Sequence, residues 1–382
     1  MDAKVSAPEV FKFGGEYGSL VGGNGVAAAG DKIATASIRE SPTEDLTIRL
    51  PDMDKSGDIS QQAFRRTDLE SLHESAKRHK VLDEKTGTGE DIRKFKEENN
   101  TIRPEILPFA TIAAWLMMEH KVEVIGRLLE VQSSIPKGSG CASSAACGAA
   151  VTGAFLKSYG TVQLDDNEAI NVSRISERII HGVQTAGGMD SSASYFGNCI
   201  SFNNVERGKP TLVNIPDGVT IVFVNAGDKA GTGAFVPTIV ALSRETSERG
   251  ERVREILAKI AYAAKSITAE LGTGDMVALG QDMFTTHALL KELGCIASLP
   301  IATEKLNRVV DIAHKAGSLG AKLSGSGGGG WAVVLTREPE TLAAALLDSG
   351  FKEDDIRTVK INPHGARHFY NNRAVSKSHS PG

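Results

Sequence analysis

The sequence feature that most restricts the fold of this chain is IPKGSGCASSAACGAA at 135–150, which is built almost only from Gly, Ser, Ala and Cys. A Gly/Ser-rich loop that leads directly into a helix leaves backbone N–H groups unpaired at the positive end of the helix dipole, an arrangement that binds anions. Ala, Leu and Phe at helical spacing, with Gly160 as a stop, predict that helix over 143–159. The segment by itself is compatible with a phosphate site, with a helix cap followed by tight packing, and with a linker.

A second glycine run, KLSGSGGGGWAVVL at 322–335, places four consecutive glycines between a predicted helix and a predicted strand. A hinge would need only one or two glycines, so the run predicts a loop whose backbone lies against a ligand. No GxxxxGK[ST] pattern occurs in the chain, which excludes the P-loop class.

Length and composition set the broad class. The 382 residues are enough for two or three domains. The net charge is −4 and the pI about 6.2, so we expect neither nucleic acid nor a membrane as partner. The four cysteines are too scattered for a disulfide framework and form no CxxC pair. The first residues lack the apolar stretch of a signal peptide, and no stretch of about 18 apolar residues is present, so we expect a cytoplasmic protein.

The predicted strands and helices are mixed without strict βαβ repetition, which favours the α+β class over a doubly wound sheet. A second helix is predicted from Asp165 or Asp166 to Gly182. The sequence changes character near residue 212, so we expect two domains, 1–212 and 213–382. Charge dominates residues 52–98, where we expect a solvated helix or a mobile excursion.

A third feature is SERIIHGVQTAGGMDSS at 176–192. Glu177 and His181 lie one turn apart on the predicted helix, and Asp190 follows a Gly-Gly turn. Taken alone, Glu177 is a metal ligand or a salt-bridge partner, and Asp190 is a cap or turn residue. His181 is expected to be a packed residue at the helix end.

Taken together, the three features resemble the signature regions of the GHMP kinases (galacto-, homoserine, mevalonate and phosphomevalonate kinases), and the pattern is most similar to that of the mevalonate kinases. SAPEVFKFGGEYGSLVGG near the start, VNAGDKAGTGAFV and the closing INPHGARH continue the likeness in the same order over almost the whole chain. The resemblance implies the GHMP kinase fold, with an N-terminal domain of ribosomal-protein-S5-like type and a C-terminal ferredoxin-like α/β sandwich domain. It also implies an active cleft between them, and homodimers are common in the family.

The resemblance implies ATP and Mg²⁺ as cofactors, and mevalonate as the acceptor in a step of isoprenoid precursor synthesis by the mevalonate pathway. Ser144 and Glu177 would hold Mg²⁺, which needs few protein oxygens. Asp190 would orient or deprotonate the acceptor hydroxyl. The predicted phosphate-binding residues are Lys137, Gly138, Ser139, Gly140, Cys141, Ala142, Ser143 and Ser144 in the first run and Ser324, Gly325, Ser326, Gly327 and Gly328 in the second.

The acceptor site follows from the same resemblance. Glu16 and Tyr17 would line the acceptor pocket, and Thr232, together with Asp190, would help to place the substrate. A carboxylate or phosphate on the acceptor should require basic residues there. Lys12, Lys137 and Arg178 are available in the sequence.

Three departures from the family pattern concern the same region. The family usually reads SAPGK where this chain has SAPEV, so the family lysine falls on Val10. Lys12, two residues on, points to the same face of a strand and is a candidate replacement, with a surface lysine as the alternative. The mevalonate kinase histidine is Tyr17 here, and the segment from His181 to Asp190 is two residues longer than usual. A phosphomevalonate or sugar acceptor therefore stays open, as does a catalytically silent nucleotide or metabolite sensor.

Overall fold

The chain folds around two β-sheets in a computed structural model that describes residues 2–51, 60–83, 86–136, 138–182, 188–203, 210–227, 233 and 235–371. The first sheet has seven strands and the second has four. This mixed helix and strand content confirms the α+β class. No helix within these ranges is both long and apolar enough to cross a membrane.

The first sheet is organised around one long strand. Its strands are β1 (Ala3–Gly14), β2 (Asn24–Glu40), β3 (Leu46–Leu50), β4 (Ser60–Phe64), β5 (Arg127–Ser133), β6 (Cys199–Asn203) and β7 (Thr211–Val213). β2 is 17 residues long, so one edge can pair with β6 through its first part and with β5 through its last part. β1 pairs antiparallel along the other edge of β2.

Seven helices accompany this sheet. They are α1 (Arg66–Arg78), α2 (Gly89–Glu98), α3 (Leu107–His120), α4 (Ser143–Tyr159), α5 (Asp166–Ser173), α6 (Ile175–His181) and α7 (Met189–Phe196). The prediction of a helix over 143–159 is confirmed by α4. The single helix expected up to Gly182 is divided at Arg174 into α5 and α6, and Asp165 is the cap, accepting from the Glu168 N–H at 2.9 Å.

The second sheet has the ferredoxin-like strand order. β8 (Thr220–Asn225), β9 (Gly320–Leu323), β10 (Trp331–Thr336) and β11 (Ile356–Val359) pair antiparallel in the order β11–β8–β10–β9. The described helices that follow β8 in the chain are α8 (Phe235–Ser243), α9 (Glu248–Thr273), α10 (Met276–Ala297), α11 (Glu304–Lys315), α12 (Pro339–Asp348) and α13 (Ala366–Asn371). The C-terminal domain expected from the sequence thus has the predicted fold.

One buried hydrophobic cluster contains residues of both sheets. Phe11 of β1 and Phe223 of β8 meet edge to face with ring centroids 5.0 Å apart, and Ile267 of α9 belongs to the same cluster. The division at residue 212 stays a prediction. β7 extends across that position and pairs with β6 in the first sheet, while α13 returns from the end of the chain to pack on α4 and β1.

The charged segment 52–98 contains α1 and α2 in its described part; residues 52–59, 84 and 85 lie outside the description. α1 buries Leu69 and Leu72, and α2 buries Ile92 and Phe95. The segment therefore adds an apolar face to the core beside the solvated face that its charge predicts. All four cysteines are free, and three of them are buried.

Candidate active site

The first glycine loop is bound to both sheets. The Val10 N–H of β1 donates to the Cys141 carbonyl at 3.1 Å, and the Trp331 N–H of β10 donates to the Ser139 carbonyl at 3.1 Å. Gly138 and Gly140 have φ of 70° and 80°. A Cβ at Gly138 would meet nothing within 4 Å, so the loop faces open space at that point.

Helix α4 starts from this loop with a strained residue. Ala142, the residue before α4, has φ of 55°, a left-handed conformation that costs an L-residue about 1–2 kcal/mol. Such strain is common at ligand-binding turns. Lys137, predicted to bind phosphate, lies outside the described residues, and so does Thr232.

The second glycine loop connects β9 to β10. Its five glycines, at 325 and 327–330, all have φ between 75° and 112°. At Gly327 the protein backbone itself excludes a side chain, because a Cβ there would lie 2.1 Å from the Ile301 carbonyl oxygen. The Gly328 N–H donates to that same oxygen at 2.9 Å, so the loop is fixed to the segment before α11.

Tyr17 joins the start of the chain to the second loop. Its hydroxyl donates to the Ser326 carbonyl at 2.6 Å, and its side chain is buried in the core of the second sheet. Glu16, the neighbouring residue, is only 3% exposed. The structure thus places both predicted acceptor-site residues where the two sheets meet, and their role toward an acceptor stays a prediction.

The predicted catalytic residues Lys12 and Asp190 form an ion pair. Lys12 Nζ lies 2.8 Å from Asp190 Oδ2, and the Lys12 side chain is 13% exposed, so Lys12 is not a surface lysine. Asp190 is the second residue of α7, which begins after Gly188 at φ 79°. Asp190 Oδ1 is buried and has no hydrogen-bond partner among the described residues.

The charges around Lys12 fix its protonation state. Burial by itself lowers the pKa of this ammonium, but the negative charges of Asp190, Glu16 and Glu177 outweigh burial and raise its pKa above the ordinary value. Lys12 is therefore a cation at neutral pH, paired with the Asp190 carboxylate at 2.8 Å.

A second lysine in the same cluster was missed in the sequence. Lys322, the last but one residue of β9, is fully buried, and its ammonium donates to Glu16 Oε1, to the Leu323 carbonyl at 2.6 Å and to the Lys12 carbonyl at 3.2 Å. Burial lowers the pKa of Lys322 and the nearby charge of Lys12 adds to this, while Glu16 opposes both. The only sequence signal was a lysine inside a short apolar strand beside the glycine run.

The predicted metal-binding residues lie near this cluster. Glu177 and His181 are one turn apart on α6, and Ser144 Oγ lies 3.0 Å from His181 Nε2. Glu177 is buried and accepts a hydrogen bond from the Ser191 hydroxyl. Burial, together with the negative charge of Asp190, raises the pKa of Glu177 to about 7.

These observations fit a divalent cation. A buried carboxylate with a raised pKa, beside a second carboxylate with an unpartnered oxygen, is an arrangement that a positive charge would stabilise. Ser144 lies on α4 and contacts α6 through His181, which is one turn from Glu177. Within the described ranges no three acidic, histidine or cysteine side chains come together as a metal cluster. A magnesium site does not need such a cluster, because Mg²⁺ keeps several water ligands.

Arg178 is not placed as a pocket residue. It is fully buried and donates from Nη1 to the Val81 carbonyl at 3.2 Å, beyond the end of α1. Lys322 rather than Arg178 thus supplies buried positive charge beside Lys12 in the described part of the chain.

Comparison with known families agrees with this geometry. The family model of the GHMP kinase N-terminal domain matches residues 109–198, and that of the GHMP kinase C-terminal domain matches residues 263–350. The chain thus carries matches to both GHMP kinase domains, in the order N-terminal then C-terminal.

Individual relatives are more distant. The chain is 28% identical over 250 residues to the mevalonate kinase of Pyrococcus horikoshii. The aligned region covers 64% of this chain and 71% of that protein. Its fold is similar to the crystal structure of Methanococcus jannaschii mevalonate kinase, with a TM-score of 0.67 at 19% identity over 95% of this chain and 99% of that one. It is equally similar to Streptococcus pneumoniae phosphomevalonate kinase, with a TM-score of 0.67 at 14% identity over 93% of this chain and 99% of that one.

Proposed function

We propose that this protein is a Mg²⁺-dependent kinase that transfers the γ-phosphate of ATP to the primary hydroxyl of mevalonate and forms 5-phosphomevalonate. The single observation that carries the proposal is the Lys12–Asp190 ion pair, in which one carboxylate oxygen is bound and the other has no partner in the part of the chain that the structure describes. The relatives named mevalonate kinase support the choice of acceptor.

The geometry of Asp190 suits a group that receives the acceptor hydroxyl. Lys12 occupies Oδ2, so Oδ1 is the atom that would accept the hydroxyl hydrogen and direct the oxygen lone pair toward phosphorus. Phosphoryl transfer depends chiefly on positioning and on charge neutralisation, and a positioned base contributes about 10²–10⁴-fold. In this proposal the hydroxyl proton ends on Asp190, ADP leaves, and Lys12 holds the Asp190 carboxylate in place through the ion pair.

The two glycine loops would bind the nucleotide phosphates through residues 138–144 and 324–328. Glu177 and Ser144 would hold Mg²⁺, which when bound neutralises charge on the transferred phosphoryl group. His181 accepts or donates at Ser144 Oγ and so orients that hydroxyl. Lys137 and Thr232 keep their predicted roles in phosphate and substrate binding.

We propose a cytoplasmic enzyme of isoprenoid precursor synthesis that acts on small molecules and forms a homodimer. Free, largely buried cysteines suit a reducing compartment.

The test is ADP release from Mg-ATP by the purified protein with mevalonate, with phosphomevalonate and with a panel of sugars as acceptors. Turnover on mevalonate alone is the expected result. Turnover on another acceptor would contradict mevalonate and leave the kinase, with Tyr17 and the 182–190 segment as the places to look for the difference. ATP binding without turnover on any acceptor would favour a sensor.

Lys12→Met is expected to lower kcat by about 10²-fold, because Asp190 loses the cation that holds its carboxylate in position. The KM for ATP should change little. Lys157→Met is a matched control, since the Lys157 ammonium donates to the Lys4 carbonyl at an exposed site. The measurement is kcat for both variants by steady-state kinetics. An equal loss of kcat in the two would show that Lys12 has no special role in catalysis.

A further inference from the structure

A cluster of three charges joins the two sheets beside the first glycine loop. Arg357 of β11 donates from Nη2 to both carboxylate oxygens of Glu9 at 2.8 Å, and from Nη1 to Asp31 Oδ1 at 2.7 Å. Glu9 lies on β1 and is fully buried, and Asp31 lies on β2. One arginine of the second sheet therefore binds both long strands of the first.

The backbone of β2 is shaped around Glu9. Pro8 pairs with Ile33 and Val10 pairs with Ala29, so three residues of β2, 30–32, oppose Glu9 alone as a bulge. The Lys32 N–H donates to Glu9 Oε1 at 3.2 Å. A Cβ at position 30 would lie 2.6 Å from that same oxygen, which only glycine avoids.

Arg357 is also fixed by aromatic rings. Its guanidinium carbon lies 4.9 Å from the Phe223 ring centroid and 5.8 Å from that of Trp331. Burial raises the pKa of Glu9, and the charge of Arg357 opposes that rise. A buried carboxylate of this kind needs its partner, because an unpaired charge in the interior is strongly unfavourable.

Glu9 and Arg357 of this cluster lie next to the two residues that bind the loop. Val10, next to Glu9, donates to the Cys141 carbonyl, and Trp331, which contacts Arg357, donates to the Ser139 carbonyl. Each sheet thus donates one hydrogen bond to a backbone carbonyl of the loop, and the two carbonyls, of Ser139 and Cys141, are two residues apart. The distance between the sheets at this point sets the shape of the loop.

We propose that Arg357, Glu9 and Asp31 are positioning residues that hold the first glycine loop in its phosphate-binding shape. The inference rests on the proposed function, in which this loop binds the ATP phosphates. The three residues act through Val10 and Trp331. Glu9 stands where the similar SAPGK pattern has glycine, so this device distinguishes the present chain from that pattern.

Arg357→Lys tests the proposal because it keeps the charge but loses the planar donor group and the aromatic contact. We expect the Kd for ATP to rise about tenfold, with kcat at saturating ATP unchanged. Hydrogen exchange should become faster at the Val10 and Trp331 amides. Glu9→Gln keeps the shape of the side chain and removes its charge. It should raise the Kd for ATP and the rate of amide exchange as well, each by less than Arg357→Lys does.

Arg367→Lys is the matched control. Arg367 of α13 also pairs, at 2.7 Å, with Asp166, a carboxylate of the first body (the first sheet with α1 to α7). Its guanidinium lies 5.4 Å from the centroid of the Phe196 ring, so this pair is beside α7. Its Kd for ATP should equal that of the unmodified protein. Wild-type ATP affinity and amide exchange in Arg357→Lys would overturn the proposal, as would an equal loss in Arg367→Lys. Failure of the unmodified protein to bind ATP would contradict the proposed function instead, and amide exchange would still decide the positioning role.

Discussion

Asp190→Asn is expected to lower kcat by about 10²–10⁴-fold, the largest loss of activity that we predict for one substitution. The amide keeps the size of the side chain but is a poor acceptor for the hydroxyl proton. Lys12 would also lose the counter-charge 2.8 Å from its ammonium. Since Asp190 is proposed to act on the acceptor hydroxyl, the Kd for ATP should stay close to that of the unmodified protein.

The measurement is ADP release at saturating mevalonate, with ATP binding followed separately. Asp311→Asn, at an exposed position of α11, serves as the control for the same chemical change. Activity of Asp190→Asn within about tenfold of the unmodified protein, below the range for a positioned base, would show that another group receives the proton.

Lys322→Met is expected to lower the free energy of unfolding by about 3–5 kcal/mol, because it leaves the buried Glu16 carboxylate without the ammonium that it binds directly. Removing both charges in Glu16→Gln/Lys322→Met should restore most of the loss, since a buried pair replaced as a unit is often neutral. Urea denaturation of the single and double variants measures the difference.

Lys94→Met provides the comparison for an exposed ion pair. Lys94 lies 3.8 Å from Glu90 on α2, with both side chains at least half exposed, and its loss should cost at most about 1 kcal/mol. A double variant no more stable than Lys322→Met would show that the lysine stem, rather than its charge, stabilises this region.

The sequence was sufficient for features that depend on neighbouring residues. The start of α4 at Ser143 follows from the Gly/Ser loop and the helical spacing after it, and Gly160 marks its end. The one-turn relation of Glu177 to His181 likewise needs only the period of a helix. The candidate roles of Lys12 and Asp190 came from a family resemblance, and no local pattern would have indicated that the two residues pair.

The parts that could not be predicted are contacts between residues far apart in sequence. Lys322 meets Glu16 across 306 positions, and Arg357 meets Glu9 across 348. Neither pair has a spacing that periodicity can detect, because each depends on how the second sheet packs on the first. The division of the predicted helix at Arg174 was also missed, since its apolar residues continue at helical spacing through the break.

The return of α13 to the first body has a consequence for how the chain can be divided. α13 packs on α4 and on β1, so the polypeptide leaves the first body near β7 and comes back to it at residues 366–371. The ferredoxin-like part is in this sense an insertion within a larger unit, and the first body is discontinuous in sequence. A fragment cut after residue 212 would expose the surface of α4 that α13 covers, whereas a fragment that supplied 366–371 through a short linker would complete it.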